Sequence, residues 1–338
     1  MSMSNKILIL HTGGTIGMQT SDEGYIPVPG FENLIRERLA HSHHAALPEF
    51  EMLELNPLID SANIDPKHWN IIAKTILDNY EQFQGFVVLH GTDTMAYSAS
   101  MLSFMLQGLD KPVVFTGSQI PLSQLRSDAL DNLITSLIVA GFHPVNEVSV
   151  YFNGRLLRGN RCSKVKATGL DAFDSPNFPW LGQIGLNIDI HNQLIINKTA
   201  GEFSNPAFLK GAVAILPVYP GMTGAATEAI CQPPEVRAII LRSYGVGNLP
   251  DGNEGFIYAL QNASNKGILI VNSSQCLQAD VYQGQYACSN ILNKMGVLSA
   301  GEMTQEAVFT KLHFLLATET EPEIIKKRFM ENLIGERE

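Results

Sequence analysis

The sequence predicts an α/β protein: a larger N-terminal domain on a doubly wound, mostly parallel sheet, followed by a smaller C-terminal α/β domain. Three observations carry that prediction. Short aliphatic runs alternate with stretches of helical periodicity, the rhythm that sets parallel strands in one sheet with helices on its faces. Several of the runs end on glycines and hydroxyl residues, the composition expected where open α/β sheets bind ligands. With 338 residues, 45% of them hydrophobic and 17% charged, the chain can bury two cores of ordinary domain size. The expected layout is a first domain over 1–190, a linker over 191–210 and a second domain over 211–338.

Charge and cysteine usage exclude several functions. A net charge of −10 and an isoelectric point near 5.4 oppose non-specific binding to nucleic acid or to an anionic membrane surface. The polar start, Met1–Asn5, and the short apolar run after Lys6 provide neither a signal-peptide core nor a membrane span. Cys162, Cys231, Cys276 and Cys288 form no C-x-x-C pair, which predicts free thiols and a cytoplasmic protein.

Ile7–Leu10 reads as a buried central strand that ends on Thr12, Gly13, Gly14 and Thr15. Adjacent glycines let a ligand approach the backbone and allow positive φ. The spacing fits neither G-x-G-x-x-G nor the P-loop, so a phosphate cradle is disfavoured. Taken alone, Thr15 reads equally as a turn or capping residue. Gly24–Gly30 is bounded by prolines and predicts a loop or lid carrying Tyr25, which either packs or relays a proton. A helix over Phe31–Leu39 precedes His41, His43 and His44, which have no H-E-x-x-H spacing and read as a solvated loop, not a metal site.

Glu51–Leu55 predicts a strand, and Asn56–Asn63, with Asp60 and Ser61, the loop after it. Asp65 caps a helix with Pro66 in its first turn and Trp69, Ile72, Ile76 and Leu77 on one face. Phe86–Leu89 repeats the opening design, running into His90-Gly91-Thr92-Asp93-Thr94 and a helix over Met95–Leu106. That helix start offers free N–H groups beside Thr92 and Asp93. A third unit follows: strand Val113–Thr116, turn Gly117–Pro121 and a helix near Ser127–Ala140, before a fourth strand at Val148–Phe152. The three loops are expected to converge on one sheet edge. Arg155, Arg158, Arg161, Lys164 and Lys166 form the one basic concentration, either a solvated edge or a functional group. The stretch from Asp171 to about Asn205 reads as irregular or hairpin-like.

The rhythm restarts at Gly211, with strands Val213–Pro217, Ala238–Leu241 and Ile268–Val271. They run into Gly221–Gly224, Arg242–Asn248 and Asn272–Cys276, with helices from Ala225, over Glu254–Ala263 and over Thr304–Leu316.

Thr12-Gly13-Gly14-Thr15-Ile16-Gly17 together with His90-Gly91-Thr92-Asp93-Thr94 resembles the two signatures of the bacterial-type L-asparaginases, most of all their cytoplasmic type I branch. The resemblance covers nearly the whole chain, through Gly117-Ser118-Gln119-Ile120-Pro121, the Lys164 segment and Ser243–Asn248. It implies hydrolysis of L-asparagine to L-aspartate and ammonia through a threonine acyl-enzyme, with no metal or organic cofactor, in a homodimer or homotetramer. It makes Thr15 the nucleophile, Tyr25 the tyrosine beside it, Thr92 and Asp93 the second catalytic pair and Lys164 the catalytic lysine. Ser61, next to Asp60, falls where the substrate α-carboxylate is held, and Asp93 where the α-ammonium is held. Gly14, Gly91 and Thr92 line the substrate, the Ser118 carbonyl holds the leaving amide, and Asn248 acts across a subunit interface. Asp280 is the nearest candidate for the acidic residue that the secreted branch takes from a neighbouring subunit. Ser163, Arg242 and Cys276 are candidates for a second, regulatory asparagine site, although Arg242 equally reads as a structural residue at a strand end.

These residue types suit that chemistry. A threonine hydroxyl needs a base. A desolvated Lys164 with a lowered pKa, oriented by Asp93, is expected to supply it through the Thr92 hydroxyl. The Thr92 backbone N–H is expected to stabilise the oxyanion. The alternatives are a glutaminase-asparaginase, the asparaginase-like subunit of an archaeal tRNA amidotransferase, which would carry a further N-terminal domain, and a non-catalytic amino-acid-binding protein.

Overall fold

The computed structural model describes residues 6–22, 24–27, 30–40, 47–196, 201–283 and 287–338. His41, His43, His44, Val28, Pro29 and Met1–Asn5 lie outside them. Two compact units are present, the first ending at Asn205 and the second beginning at Pro206.

In chain order the first unit contains β1 (Lys6–Gly13), β2 (Met18–Ser21), β3 (Gly24–Pro27), α1 (Phe31–Ala40), β4 (Glu49–Ile59), α2 (Pro66–Asp78), β5 (Gly85–Leu89) and α3 (Met95–Met105). There follow β6 (Val113–Thr116), α4 (Ala129–Phe142), β7 (Val148–Phe152), β8 (Arg155–Arg158), β9 (Ser163–Lys164), β10 (Phe173–Asp174), β11 (Gly182–Ile184) and β12 (Ile188–Ile190). Its main sheet has eight strands in the order β12-β11-β8-β7-β6-β5-β1-β4. Pairing is parallel from β4 to β7 and antiparallel from β7 to β12. The chain leaves β1 for β4 on one side and then crosses to β5 on the other. The carboxyl ends of β1 and β5 therefore flank a topological switch point, where such sheets bind ligands.

The core explains the aliphatic runs. Ile7, Ile9, Val87, Leu89 and Val114 are buried with Phe31, Ile35, Leu133 and Leu137 of the covering helices. On α2, Asp65 accepts from Lys67 N at 3.2 Å while His68 Nδ1 accepts from Asp65 N at 3.0 Å, a reciprocal cap.

Three expectations for this unit need correction. Asn56–Ile59 is not a loop but the end of β4, an edge strand where Pro57 leaves no central ladder position unfilled. Gly24–Pro27 is not irregular, because it pairs with β2 as an antiparallel hairpin in which Tyr25 faces Thr20 in register. Nor is the basic segment a solvated edge. Arg158 is buried against Glu147, with Nε 2.7 Å from Oε2, and Arg161 is buried with its guanidinium over the Phe178 ring.

The second unit runs β13 (Val213–Pro217), α5 (Gly224–Cys231), β14 (Ala238–Ser243), α6 (Glu254–Asn265), β15 (Leu269–Ser274), α7 (Ala287–Lys294), β16 (Leu298–Ser299), α8 (Gln305–Thr318) and α9 (Pro322–Met330). Its four strands are parallel in sequence order. Leu216, Ile239, Leu241, Phe256 and Leu260 centre the core. Arg242, Ser243 and Asn272–Ser274 belong to strands and not to the loops expected there, because their backbones continue the β14–β15 ladder. Helices α7 and α9, too polar to show a clear apolar stripe, were not expected.

Candidate active site

Four loops meet at the carboxyl edge of the first unit's sheet, after β1, β4, β5 and β6. Their approach is backbone on backbone. A Cβ on Gly14, whose φ is +89°, would fall 2.4 Å from the Gly91 Cα, and one on Gly91 would fall 2.4 Å from Ser61 Oγ. Only glycine permits both contacts.

Beneath them a closed hydrogen-bond chain fixes the β5 loop. His90 Nδ1 donates to the Gly91 carbonyl at 2.8 Å, its Nε2 accepts from Ser98 Oγ at 2.9 Å, and Trp69 Nε1 donates to Ser98 Oγ at 3.1 Å. The acceptor at Gly91 dictates this tautomer. Burial pushes His90 down to about 4, so the ring is neutral. Thr12 Oγ1 donates to the Leu89 carbonyl at 2.9 Å, and Thr94 Oγ1 to the Ser61 carbonyl at 2.7 Å. Thr12 is thus a tie between β1 and β5 instead of an open hydroxyl.

Lys164 Nζ reaches this loop from β9. It donates to Thr92 Oγ1 at 2.9 Å and to Asp93 Oδ1 at 2.7 Å. The lysine side chain is 19% exposed and that of Asp93 63%, so the pair sits at the mouth of the cleft. Thr92 Oγ1 in turn donates to Gln119 Oε1 at 3.2 Å. The Gln119 amide is held by its Nε2, which donates to the carbonyls of Ala167 at 3.0 Å and Gly169 at 3.1 Å. Asp128 steadies the same turn, accepting from Gln119 N at 3.0 Å and Ile120 N at 2.9 Å. Sequence reasoning missed Gln119 and Asp128; the one signal was Gln119's position next to Ser118 in the third strand-end loop.

Thr15 begins a single turn of 3₁₀ helix, Thr15–Gly17, and is half-buried. Its hydroxyl has no hydrogen-bond partner among the described residues. Strand β3 lies against that turn, and Tyr25 on it is 53% exposed, not packed. Ser61 is buried at the start of a second 3₁₀ turn capped by Asp60, whose Oδ1 accepts from Ala62 N at 3.1 Å. Ser118 is buried too, and its Oγ has no partner among the described residues. Thr15, Ser61, Gly91–Asp93, Ser118 and Lys164 all belong to the first unit, as does buried Ser163 on β9.

Other candidates lie in the second unit. Asn248 closes a tight turn, exchanging backbone bonds of 2.9 and 2.8 Å with Tyr244. One terminal nitrogen of Arg242 donates to the carbonyls of Ser274 at 3.3 Å and Gln275 at 3.0 Å, a strand-end role. Cys276 is exposed. Asp280 hydrogen-bonds Tyr282 and pushes its phenol up. Among the described residues no three His, Cys, Asp or Glu side chains cluster as metal ligands, and no helix is long and apolar enough to cross a membrane.

Residues 6–196 match the family model for the asparaginase N-terminal domain, and 212–329 that for the glutaminase/asparaginase C-terminal domain. The chain is 46% identical over 330 residues to L-asparaginase 1 of Escherichia coli K12, a match covering 98% of this chain and 97% of that protein. Among solved structures it resembles L-asparaginase I from Vibrio cholerae, with a TM-score of 0.88 at 42% identity over 98% of this chain and 99% of the other. The thermostable L-asparaginase from Thermococcus kodakarensis gives the same TM-score of 0.88 at 29% identity, again over 98% and 99%.

Proposed function

The chain belongs to the asparaginase family, and from that premise we propose that it hydrolyses the side-chain amide of L-asparagine, giving L-aspartate and ammonia through a threonyl ester. The observation that supports this most is the contact of Lys164 Nζ with Thr92 Oγ1 at 2.9 Å and Asp93 Oδ1 at 2.7 Å, on loops that also carry Gly14 and Thr15.

In this reading Thr15 Oγ attacks the amide carbon, the C–N bond breaks, and the proton from the Thr15 hydroxyl leaves on ammonia. Water then cleaves the ester and restores the threonine. Thr92 and Lys164 carry the proton. In the resting arrangement the lysine donates to Thr92, whose own hydrogen is turned to Gln119, so Lys164 must first release a proton to act as base through that hydroxyl. Tyr25, on the hairpin beside the Thr15 turn, assists the nucleophile. The Thr92 backbone N–H stabilises the oxyanion.

Ser61, with Asp60 shaping its turn, takes the substrate α-carboxylate and Asp93 the α-ammonium. Gly14 and Gly91 allow close approach, and the Ser118 carbonyl receives the leaving amide. Asn248 serves the site of a partner subunit, which makes the working form a homodimer or homotetramer. A cytoplasmic location fits the free thiols of Cys162, Cys231 and Cys276. A second asparagine site using Ser163, Arg242 and Cys276 would show as a sigmoidal rate curve. The test is ammonia release from L-asparagine and L-glutamine over a wide concentration range: turnover of asparagine supports the reading, and silence with both amides refutes it. Discrimination by one methylene is worth about 1–3 kcal/mol, so the ratio of the two rates measures the pocket's fit.

A further inference from the structure

His11, three residues from the end of the Thr12–Gly14 loop entrance on β1, is fully buried, and neither ring nitrogen has a hydrogen-bond partner among the described residues. Burial pushes it down to about 4, so the ring is uncharged at neutral pH. Buried polar groups left unpaired are costly, and those a fold keeps call for a reason.

Its neighbours supply one. On one side lies Gly17, the last residue of the turn that carries Thr15; a Cβ there would fall 2.7 Å from His11 Nε2 and 3.0 Å from Cε1. On the other lies Phe31, the first residue of α1, with ring centroids 4.8 Å apart. Between Gly17 and Phe31 the chain runs out along β2 and back along β3. Both roots of the hairpin that carries Tyr25 therefore rest against this one imidazole.

Glu54 on β4 is His11's register partner, and register partners in a sheet project to the same face. Its Oε1 is also buried without a partner among the described residues. On the other side of β1 the register partner is Leu89 of β5, and on α1 the charged Glu32 and Arg36 pair with each other. Glu54 is thus the ionisable group in register with the ring.

We propose that His11 is a positioning residue for the hydrolysis: its uncharged ring is the common seat of the Thr15 turn and of both roots of the Tyr25 hairpin. The proposal rests on the reading of Thr15 as nucleophile. Because neither nitrogen is bonded, the ring's shape does the seating, and a phenyl ring can replace it. Protonation would set a positive charge beside the Glu54 carboxylate and draw the ring off Gly17.

The test compares wild type, His11→Ala and His11→Phe for ammonia release from L-asparagine, from about pH 4 to pH 8, at a temperature well below each melting transition. His11→Ala is expected to lower kcat about tenfold or more with KM within about twofold, since small misplacements of a reacting group cost rate more than binding. His11→Phe is expected to restore most of that kcat and to hold it at acid pH, where the wild type declines. Wild-type kcat in His11→Ala, or no rescue by His11→Phe, overturns the proposal alone. Silence of the wild type overturns the functional reading and the proposal with it. If His11→Ala does not fold, Gly17→Ala presses a Cβ onto the ring from the other side and is expected to lower kcat with KM unchanged; an unchanged kcat overturns the proposal.

Discussion

Gly14 and Gly91 touch backbone to backbone: a Cβ on Gly14 would lie 2.4 Å from the Gly91 Cα, and one on Gly91 would lie 3.2 Å from the Gly14 Cα. This contact sets the separation of the two loops that carry Thr15 and Thr92. Gly91→Ala would also meet Ser61 Oγ at 2.4 Å, so it must push both neighbours away. The expected result is a loss in kcat/KM of about a hundredfold in a protein that still folds, checked by steady-state kinetics beside circular dichroism.

Lys164→Met removes the cation that touches Thr92 and Asp93 while keeping most of the chain's volume. It is expected to lower kcat by about 10²–10⁴. Gln119→Leu leaves Lys164 in place but frees the Thr92 hydroxyl hydrogen, and is expected to cost about tenfold. Since both act on one hydroxyl, the double variant should lose less than the product of the two factors. Strictly multiplicative losses would show that they act independently.

The buried ring of His90 predicts acid lability. Its folded value near 4 lies below the usual 6.5, so between these values the unfolded chain binds a proton that the folded chain does not. Stability from this group is therefore complete above about pH 6.5 and falls by about 3 kcal/mol on the way to pH 4. In His90→Gln, unfolding followed from pH 7 to pH 4 should lose about one proton's worth of pH dependence. An unchanged slope would contradict the assignment.

In the second unit, Lys311 and Glu336 form a fully buried ion pair, and the Glu336 carboxylate also accepts from Leu333 N at 3.0 Å and Ile334 N at 2.8 Å. Burial, partly offset by Glu336, brings Lys311 down to about 8. Lys311→Met leaves the carboxylate without its cation and should destabilise the protein by about 3–5 kcal/mol. The double variant Lys311→Met/Glu336→Gln should recover most of that loss in chemical denaturation.

Strands with continuous aliphatic runs were legible because burial on both faces leaves a one-dimensional signature: Val113–Thr116, Val148–Phe152 and Val213–Pro217 have the bounds their residues imply. Capped helices such as α2 were equally plain, since Asp65 and Pro66 mark the first turn locally. Polar ends of strands were not. Asn56–Ile59 and Asn272–Ser274 are extended because neighbouring strands pair with them, a cause that lies far away in sequence. The same holds at the candidate site. Thr15, Thr92 and Asp93 stand in motifs, whereas Gln119 gains its place from carbonyls at Ala167 and Gly169. Arg158 and Arg161 looked like surface charge because their partners, Glu147 and Phe178, come from other segments.

The central claim is that Thr15 is the nucleophile, and the most direct measurement is ammonia release by Thr15→Ala beside calorimetric binding of L-aspartate. The account predicts a loss in kcat of about a thousandfold or more with aspartate binding retained. Hydrolysis at a rate near that of the wild type would contradict it.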